Sequence, residues 1–188
     1  MLDAYLPVAS VGAYTLNLGL WALGFSLLNG WLETFTRPVL YSHASAGEMS
    51  SLTTLIATRV GLCAAATLVA LATLPLFGLS VVNRFVGSAY ALEAPTQYLL
   101  VAAGGLQATG FGLVAGLLAL KRGLAVALAT TVAAVVNIAG SVITVPVHGV
   151  NGAAAANLAA YLVWNCVLAT ILVLATHRSA FRCAGARL

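Results

Sequence analysis

Five long stretches without a charged or histidine residue constrain the fold more than any other feature of the sequence. They enclose 29, 24, 27, 25 and 28 residues and lie between Asp3 and Glu33, Arg59 and Arg84, Glu93 and Lys121, Arg122 and His148, and His148 and His177. About 20 apolar residues suffice for a helix to cross the roughly 30 Å hydrocarbon core of a bilayer. Since hydrocarbon offers backbone groups no water, such crossings must be helical. The sequence therefore predicts an all-α polytopic membrane protein with five transmembrane helices in a single domain, 1–188.

The overall composition supports this class. Hydrophobic residues make up 62% of the chain, charged residues 6%, and the mean hydropathy is +1.04. Soluble domains are typically about 25% charged, and 12 charged side chains do not cover a globule of this size. The net charge of +4 comes without a basic cluster carrying interleaved aromatics, so we expect no nucleic-acid partner.

Turn signals place the ends of the predicted helices. We predict spans near 10–32, 54–77, 96–119, 123–145 and 152–175. Lys121 and Arg122 leave room only for a short turn between spans three and four. The stretch Pro146–Gly152 contains one proline and two glycines and should break span four from span five. The longest polar connector is expected over 33–53.

The distribution of basic residues predicts the orientation in the membrane. With five spans, Arg84 stands alone on one side. The other side holds the remaining seven, Arg37, Arg59, Lys121, Arg122, Arg178, Arg182 and Arg187. Because loops rich in Lys and Arg stay in the cytoplasm, we expect the N-terminus outside and the C-terminus inside.

Polar residues within the spans form two stripes. Asn157, Tyr161 and Asn165 follow each other at i, i+4 and i+8, and so lie on one face of span five. A second stripe in span four contains Thr130, Asn137, Ser141 and Thr144. Asn17 in span one and Gln107 in span three add two further amides. Such stripes either line a wet cavity or form hydrogen bonds between packed helices, and the spacing alone leaves both readings open.

Arg59 is the one cation expected inside a span. Its guanidinium could bind a phosphate bidentately, or its side chain could extend to the inner interface, and both readings stay open. Pro75 could kink the end of span two, and Gly112 and Gly116 should allow close helix contact. Trp21 and Trp164 fall in mid-span and require a packing partner.

Catalytic and metal-binding motifs are missing from the sequence. It contains no HExxH, no GxSxG and no glycine-rich phosphate loop. The three cysteines have no paired spacing, and the four acids lie at or beyond the ends of the spans. We therefore expect neither an enzyme nor a bound metal or cofactor.

Three sequence segments resemble a known transporter superfamily. The strip Val136–Ala156 contains an Asn in an apolar helix followed by Pro-x-x-Gly-x-x-Gly-Ala-Ala, at Asn137, Pro146, Gly149 and Gly152–Ala154. V-G-A-Y at Val11–Tyr14 and F-V-G-S-A-Y at Phe85–Tyr90 precede it in order, the latter with Val86 as an extra residue, and Pro38 fits the inner end of the first helix. This set resembles the multidrug/oligosaccharidyl-lipid/polysaccharide exporter superfamily, and its polysaccharide-biosynthesis branch in particular.

The resemblance implies a flippase for lipid-linked sugars, with two lobes around a central cavity. Such proteins have about 12 to 14 spans, and the five predicted here would correspond to the C-terminal lobe. The chain would then be a fragment, a truncated gene product, or one part of a split protein whose N-terminal half is a separate partner. The implied cargo is an undecaprenyl-diphosphate-linked oligosaccharide, moved across the inner (plasma) membrane by alternating access.

The resemblance also suggests roles for the polar residues. Arg59 would hold the diphosphate, and the remaining candidates would line the cargo cavity, namely Asn17, Gln107, Asn137, Asn157, Tyr161 and Asn165. Two alternatives stay open. One is a cation-coupled multidrug exporter of the same superfamily, which would be expected to bury an acid in mid-span. The other is a non-transporting membrane module that packs against a partner chain and membrane lipids.

Overall fold

A computed structural model describes residues 6–78, 84, 87 and 90–185 of the chain. Within these ranges the protein is helical and contains no strand. Helix α1 covers Val8–Ala46 and α2 covers Met49–Thr73, which continues into a π-helical turn at Leu74–Gly78. Helix α3 covers Ala94–Ala119, and α4 covers Gly123–Gly185. Asp3, Arg187 and most of the Phe85–Tyr90 segment lie outside the described residues.

Four of these helices are long and apolar enough to cross a membrane. They are Val8–Ala46, Met49–Leu76, Ala94–Ala119 and Gly123–Thr176, judged by length and composition. Large apolar side chains on their outer faces are exposed, among them Leu23 and Leu27 on α1, Leu68 on α2, and Leu124 on α4. Such a surface is far too apolar for water but suits lipid tails. An all-helical membrane protein is therefore the architecture that the fold supports.

Helix α4 is interrupted at Gly149, whose φ of 57° and ψ of −132° are non-helical. This break lies inside the predicted Pro146–Gly152 stretch and divides α4 into two arms, 123–148 and 150–185. The Thr144 hydroxyl donates to the Gly152 carbonyl at 2.8 Å, and the Trp164 indole N–H donates to the Thr130 hydroxyl at 3.3 Å. Residues nearer the start of the first arm thus contact residues nearer the end of the second arm, so the two arms run antiparallel.

Glycine makes the contact between the two arms possible. A β-carbon on Gly152 would overlap the Thr144 carbonyl, and one on Gly140 would lie 3.1 Å from the Ala156 β-carbon. Gly149 has a positive φ, which side-chain-bearing residues adopt reluctantly. The glycines of the strip 136–156 therefore serve the fold directly, by allowing the turn and the close approach that follows it.

Helix α3 is the central helix of the bundle. Fifteen of its 26 residues are buried, against seven of 39 in α1 and four of 25 in α2. Its glycines face three different neighbours: Gly104 meets Phe25 of α1, Gly105 meets Thr67 of α2, and Gly110 meets Trp164 of α4. The predicted close contact at Gly112 and Gly116 is also present, against Arg59 and Ile56 of α2. Small residues on every side let three helices approach α3 at once.

The first helix is longer than the sequence analysis predicted. Instead of ending near 32 and giving way to a polar connector over 33–53, α1 continues through Pro38 to Ala46, and only Gly47 and Glu48 separate it from α2. Arg37 Nη1 lies 3.5 Å from Glu33 Oε1, one helical turn earlier, and this ion pair stabilises the added turns. Gly47, with φ of 74°, ends the helix in the left-handed conformation. Polar side chains here mark a helix leaving the apolar layer rather than a loop.

Candidate functional site

A cavity with several polar side chains lies between α3 and both arms of α4. It has a volume of about 420 Å³ and is called the α3–α4 cavity below. Its walls are Gln107, Phe111 and Val114 of α3, Val126, Thr130, Ala133, Ala134 and Asn137 of the first arm, and Asn157, Ala160, Tyr161 and Trp164 of the second arm. The volume lies in the range of about 300–1,000 Å³ that small-molecule sites occupy.

The cavity contains four of the seven residues that the sequence analysis selected. Gln107, Asn137, Asn157 and Tyr161 converge there from three helical segments. On α3 the lining residues recur at i, i+4 and i+7, so they share one face of that helix. Asn157 lies eight residues after Gly149, about 12 Å along the axis of the second arm.

Most polar groups of the cavity have no hydrogen-bond partner among the described residues. Asn157 is only 8% exposed, yet its side chain makes no hydrogen bond to any described residue, and the same holds for Gln107 and the Tyr161 hydroxyl. Asn137 only accepts a long contact of 3.4 Å from Ser141. Because polar groups in an apolar layer are costly to leave unpaired, these four positions are available to a ligand or to water.

Three aromatic rings line part of the cavity. Trp164 is buried, and its ring lies edge-on to Phe111 with 5.8 Å between centroids, and 6.1 Å from Tyr161. Since the Trp164 indole N–H donates to Thr130, the residue offers the cavity an apolar ring rather than a free donor. This packing also explains how a tryptophan predicted in mid-span is accommodated.

Asn165, the next residue of the span-five stripe, lies outside the cavity lining. Its amide nitrogen donates to the carbonyls of Leu106 at 2.9 Å and Tyr161 at 2.8 Å, and so links α4 to the middle of α3. The buried amide oxygen has no hydrogen-bond partner among the described residues. The sequence left open whether this stripe lines a cavity or forms hydrogen bonds between helices. Asn157 and Tyr161 line a cavity, whereas Asn165 forms a hydrogen bond between helices.

Arg59 lies across α3 from the cavity. Its side chain is 1% exposed and packs near Gly112, on the side of α3 that faces α2. The guanidinium donates to Asn29 Oδ1 at 2.6 Å and to Thr36 Oγ1 at 3.3 Å, both on α1. Its Nε has no partner among the described residues. Two neutral oxygens thus hold the guanidinium, and the Glu33 carboxylate on α1 attracts it electrostatically. Its role toward a diphosphate stays a prediction.

The sequence analysis did not select Asn29 and Thr36. A sequence signal for Asn29 existed, because an amide within span one has the same cost as Asn17. Thr36 falls in the predicted polar connector over 33–53, where a threonine can hydrogen-bond to water and gives no signal of a buried contact. Knowing that α1 continues past 32 would have placed Asn29, Glu33 and Thr36 on one face, at i, i+4 and i+7.

Asn17 belongs to a separate buried network between α1 and α3. Its amide donates to the Ala13 carbonyl at 2.8 Å and the Tyr90 carbonyl at 3.0 Å, and it accepts from Gln97 at 2.6 Å. Gln97 in turn accepts from the Trp21 indole at 2.8 Å, which is the partner this mid-span tryptophan required. Asn17 and Gln97 are both fully buried. Since the Asn17 amide is already satisfied, its role toward cargo also stays a prediction.

Charged groups do not line the α3–α4 cavity. Of the acids that the structure describes, Glu33 lies beside Arg37, Glu48 hydrogen-bonds His43 at 2.7 Å, and Glu93 precedes α3. Across the described ranges no three His, Cys, Asp or Glu side chains come together to hold a metal ion. The cavity can thus recognise a ligand through amides, hydroxyls and aromatic rings.

Comparison with known proteins gives no match to a family model, to a curated protein or to a solved structure.

Proposed function

We propose that the chain crosses the inner (plasma) membrane five times, with its N-terminus outside and its C-terminus inside. Two features support the fifth crossing. Each arm of α4 is long enough to span, because the 26 residues from Gly123 to His148 rise about 39 Å and the 36 residues of 150–185 rise about 54 Å. The antiparallel contact between the arms is what two consecutive crossings require. The seven-to-one distribution of basic residues supports the orientation.

We further propose that the protein is the C-terminal part of a lipid-linked oligosaccharide flippase. The observation that carries this proposal is the α3–α4 cavity, in which three unpaired polar side chains and three aromatic rings meet inside the apolar layer. A cargo with an undecaprenyl tail would keep the tail in lipid while its sugars replace water at the amides. The sequence resemblance at Asn137 and Pro146–Ala154 points to the same function.

Alternating access in this lobe would use the break in α4. The Gly149 turn joins the arms through a single non-helical residue, so a change of angle there would widen or narrow the cavity. The diphosphate would engage Arg59 only after the guanidinium exchanges Asn29 or Thr36 for phosphate oxygens, since these α1 residues hold it in the described arrangement. Separation of α1 from α2 would permit that exchange.

A cation-coupled drug exporter is the second candidate, and the cavity favours it less. Coupling by protons or sodium calls for a buried acid, and Glu33, Glu48 and Glu93 all lie outside the α3–α4 cavity. The third candidate, a module that only packs against a partner, predicts that the cavity polar groups bind nothing but water. A binding measurement separates the flippase from the other two candidates.

The test is retention of radiolabelled lipids by the full chain in nanodiscs. Undecaprenyl diphosphate carrying glucose should be retained about tenfold better than undecaprenyl diphosphate alone, because only the former offers hydroxyls to the cavity. Thr170→Val, an exposed position on the same arm but outside the lining, is the matched control and should keep this preference. Equal retention of the two lipids would contradict the flippase proposal and favour the packing module.

A further inference from the structure

The α3–α4 cavity combines two properties that restrict its ligand further than lipid-linked sugars in general. Its unpaired polar groups are all neutral, and charged side chains are absent from its lining. Asn157, more than nine-tenths buried, presents an amide with both a donor and an acceptor free. Amides of this kind match a hydroxyl, which also donates and accepts.

Transfer of a charged group into this site would be unfavourable. An ionised carboxylate or ammonium loses its hydration when it enters an apolar environment, and this cost is large unless an opposite charge compensates it. Arg59 is a buried cation, but it packs on the side of α3 that faces α2, so helix α3 separates it from the cavity. Lys121 and Arg122 are exposed in the turn before α4. A ligand charge in the cavity would therefore stay unpaired.

The aromatic rings add a preference for the apolar faces of sugar rings. The ring of Trp164 lies close to two other rings of the lining, with centroid distances of 5.8 Å to Phe111 and 6.1 Å to Tyr161. The face of an aromatic ring carries partial negative charge and attracts the weakly positive C–H groups of a pyranose. Asn137 and Gln107, which also line the cavity, offer amides to the hydroxyls.

We infer that the α3–α4 cavity is a specificity site that admits an uncharged sugar unit of the cargo and discriminates against uronic acids. This inference rests on the proposed function and adds the charge class of the sugar to it. Asn157 and Gln107 are the specificity-determining residues, and the rings of Phe111 and Trp164 hold the sugar face.

The experiment compares three lipids that share one tail: undecaprenyl diphosphate alone, with glucose, and with glucuronic acid. Retention by the full chain in nanodiscs should be about tenfold higher for the glucosyl lipid than for the glucuronyl lipid. Similar retention of both sugar lipids, each above the bare lipid, would overturn the charge discrimination while leaving the flippase proposal standing. Equal retention of all three would overturn both.

Two variants locate the binding in the cavity. Asn157→Leu and Gln107→Leu keep the approximate side-chain volume, and each should lower retention of the glucosyl lipid about tenfold without affecting the bare lipid. Tyr161→Phe removes one hydroxyl only and serves as the mildest variant should the amide substitutions perturb folding. Thr170→Val is the unchanged control. Full retention of the glucosyl lipid by all three cavity variants would place the site elsewhere and refute the inference.

Discussion

Gln97→Leu is the substitution whose effect on stability follows most directly from the structure. Gln97 is fully buried on α3, where its amide donates to Asn17 at 2.6 Å and accepts from Trp21 at 2.8 Å. Leucine has a similar size and no polar atom, so it leaves an acceptor on Asn17 and the indole N–H without partners. The Asn17 donor keeps the carbonyls of Ala13 and Tyr90.

The size of the effect can be worked out from the two lost hydrogen bonds. Interhelical hydrogen bonds in membrane proteins contribute on average about 0.6 and at most about 1.7 kcal/mol each. Two of them give a loss of about 1–3 kcal/mol in the free energy of unfolding. Trp21→Phe removes only one of the two bonds and should cost about half as much.

The assay is reversible unfolding of the chain in mixed micelles with increasing denaturing detergent, followed by helical circular dichroism. A double-mutant cycle with Asn17→Leu isolates the Asn17–Gln97 bond, and its coupling free energy should be about 0.6–1.7 kcal/mol. A Gln97→Leu variant as stable as the wild type, together with a coupling near zero, would refute the account of a satisfied α1–α3 network.

Two further substitutions test the α4 turn and the buried cation. Gly152→Ala should destabilise the protein by about 1–3 kcal/mol, because the added methyl overlaps the Thr144 carbonyl. Gly12→Ala is the control and should be neutral or stabilising, because the space around its β-carbon is open. Equal melting temperatures for the two variants would contradict the close contact between the α4 arms. Arg59→Leu should lower the free energy of unfolding by about 1–3 kcal/mol, because it leaves the Asn29 and Thr36 side-chain oxygens without their donor. It should also reduce sugar-polymer export about tenfold in the full-length context, and unchanged export at equal expression would exclude the phosphate role.

The sequence predicts the polar face of α4 well because helical geometry fixes it. Asn157 and Tyr161 are four residues apart, so they must share a face wherever that helix lies, and the cavity contains both. Asn137 and Gln107 are on other segments, and their meeting with Asn157 depends on how the arms and α3 pack. The sequence shows which residues share a face of one helix. Which helices pack against each other depends on tertiary contacts such as those at Gly110 and Gly152.

The parts that the sequence analysis did not identify also depend on tertiary contacts. Asn17 and Asn157 are both amides in apolar segments and look alike in the sequence, but Asn17 meets Gln97 and Asn157 meets an open cavity. Gln97 stands two residues after Pro95, at a helix start where polar side chains are common, so nothing in the sequence distinguishes it as a buried group. The end of α1 was missed because polar residues that prolong a helix into water resemble those of a loop.

Site-directed thiol labelling from outside intact cells tests the five-crossing arrangement most directly. In a background without native cysteines, a cysteine inserted between Lys121 and Arg122 should resist a membrane-impermeant maleimide, and His148→Cys should react with it, because these positions lie at opposite ends of the first α4 arm. Labelling after permeabilisation confirms that the inserted thiol is accessible. Reaction of the Lys121–Arg122 thiol from outside would contradict the orientation, and a His148→Cys thiol that reacts only after permeabilisation would contradict a turn of α4 at the outer surface.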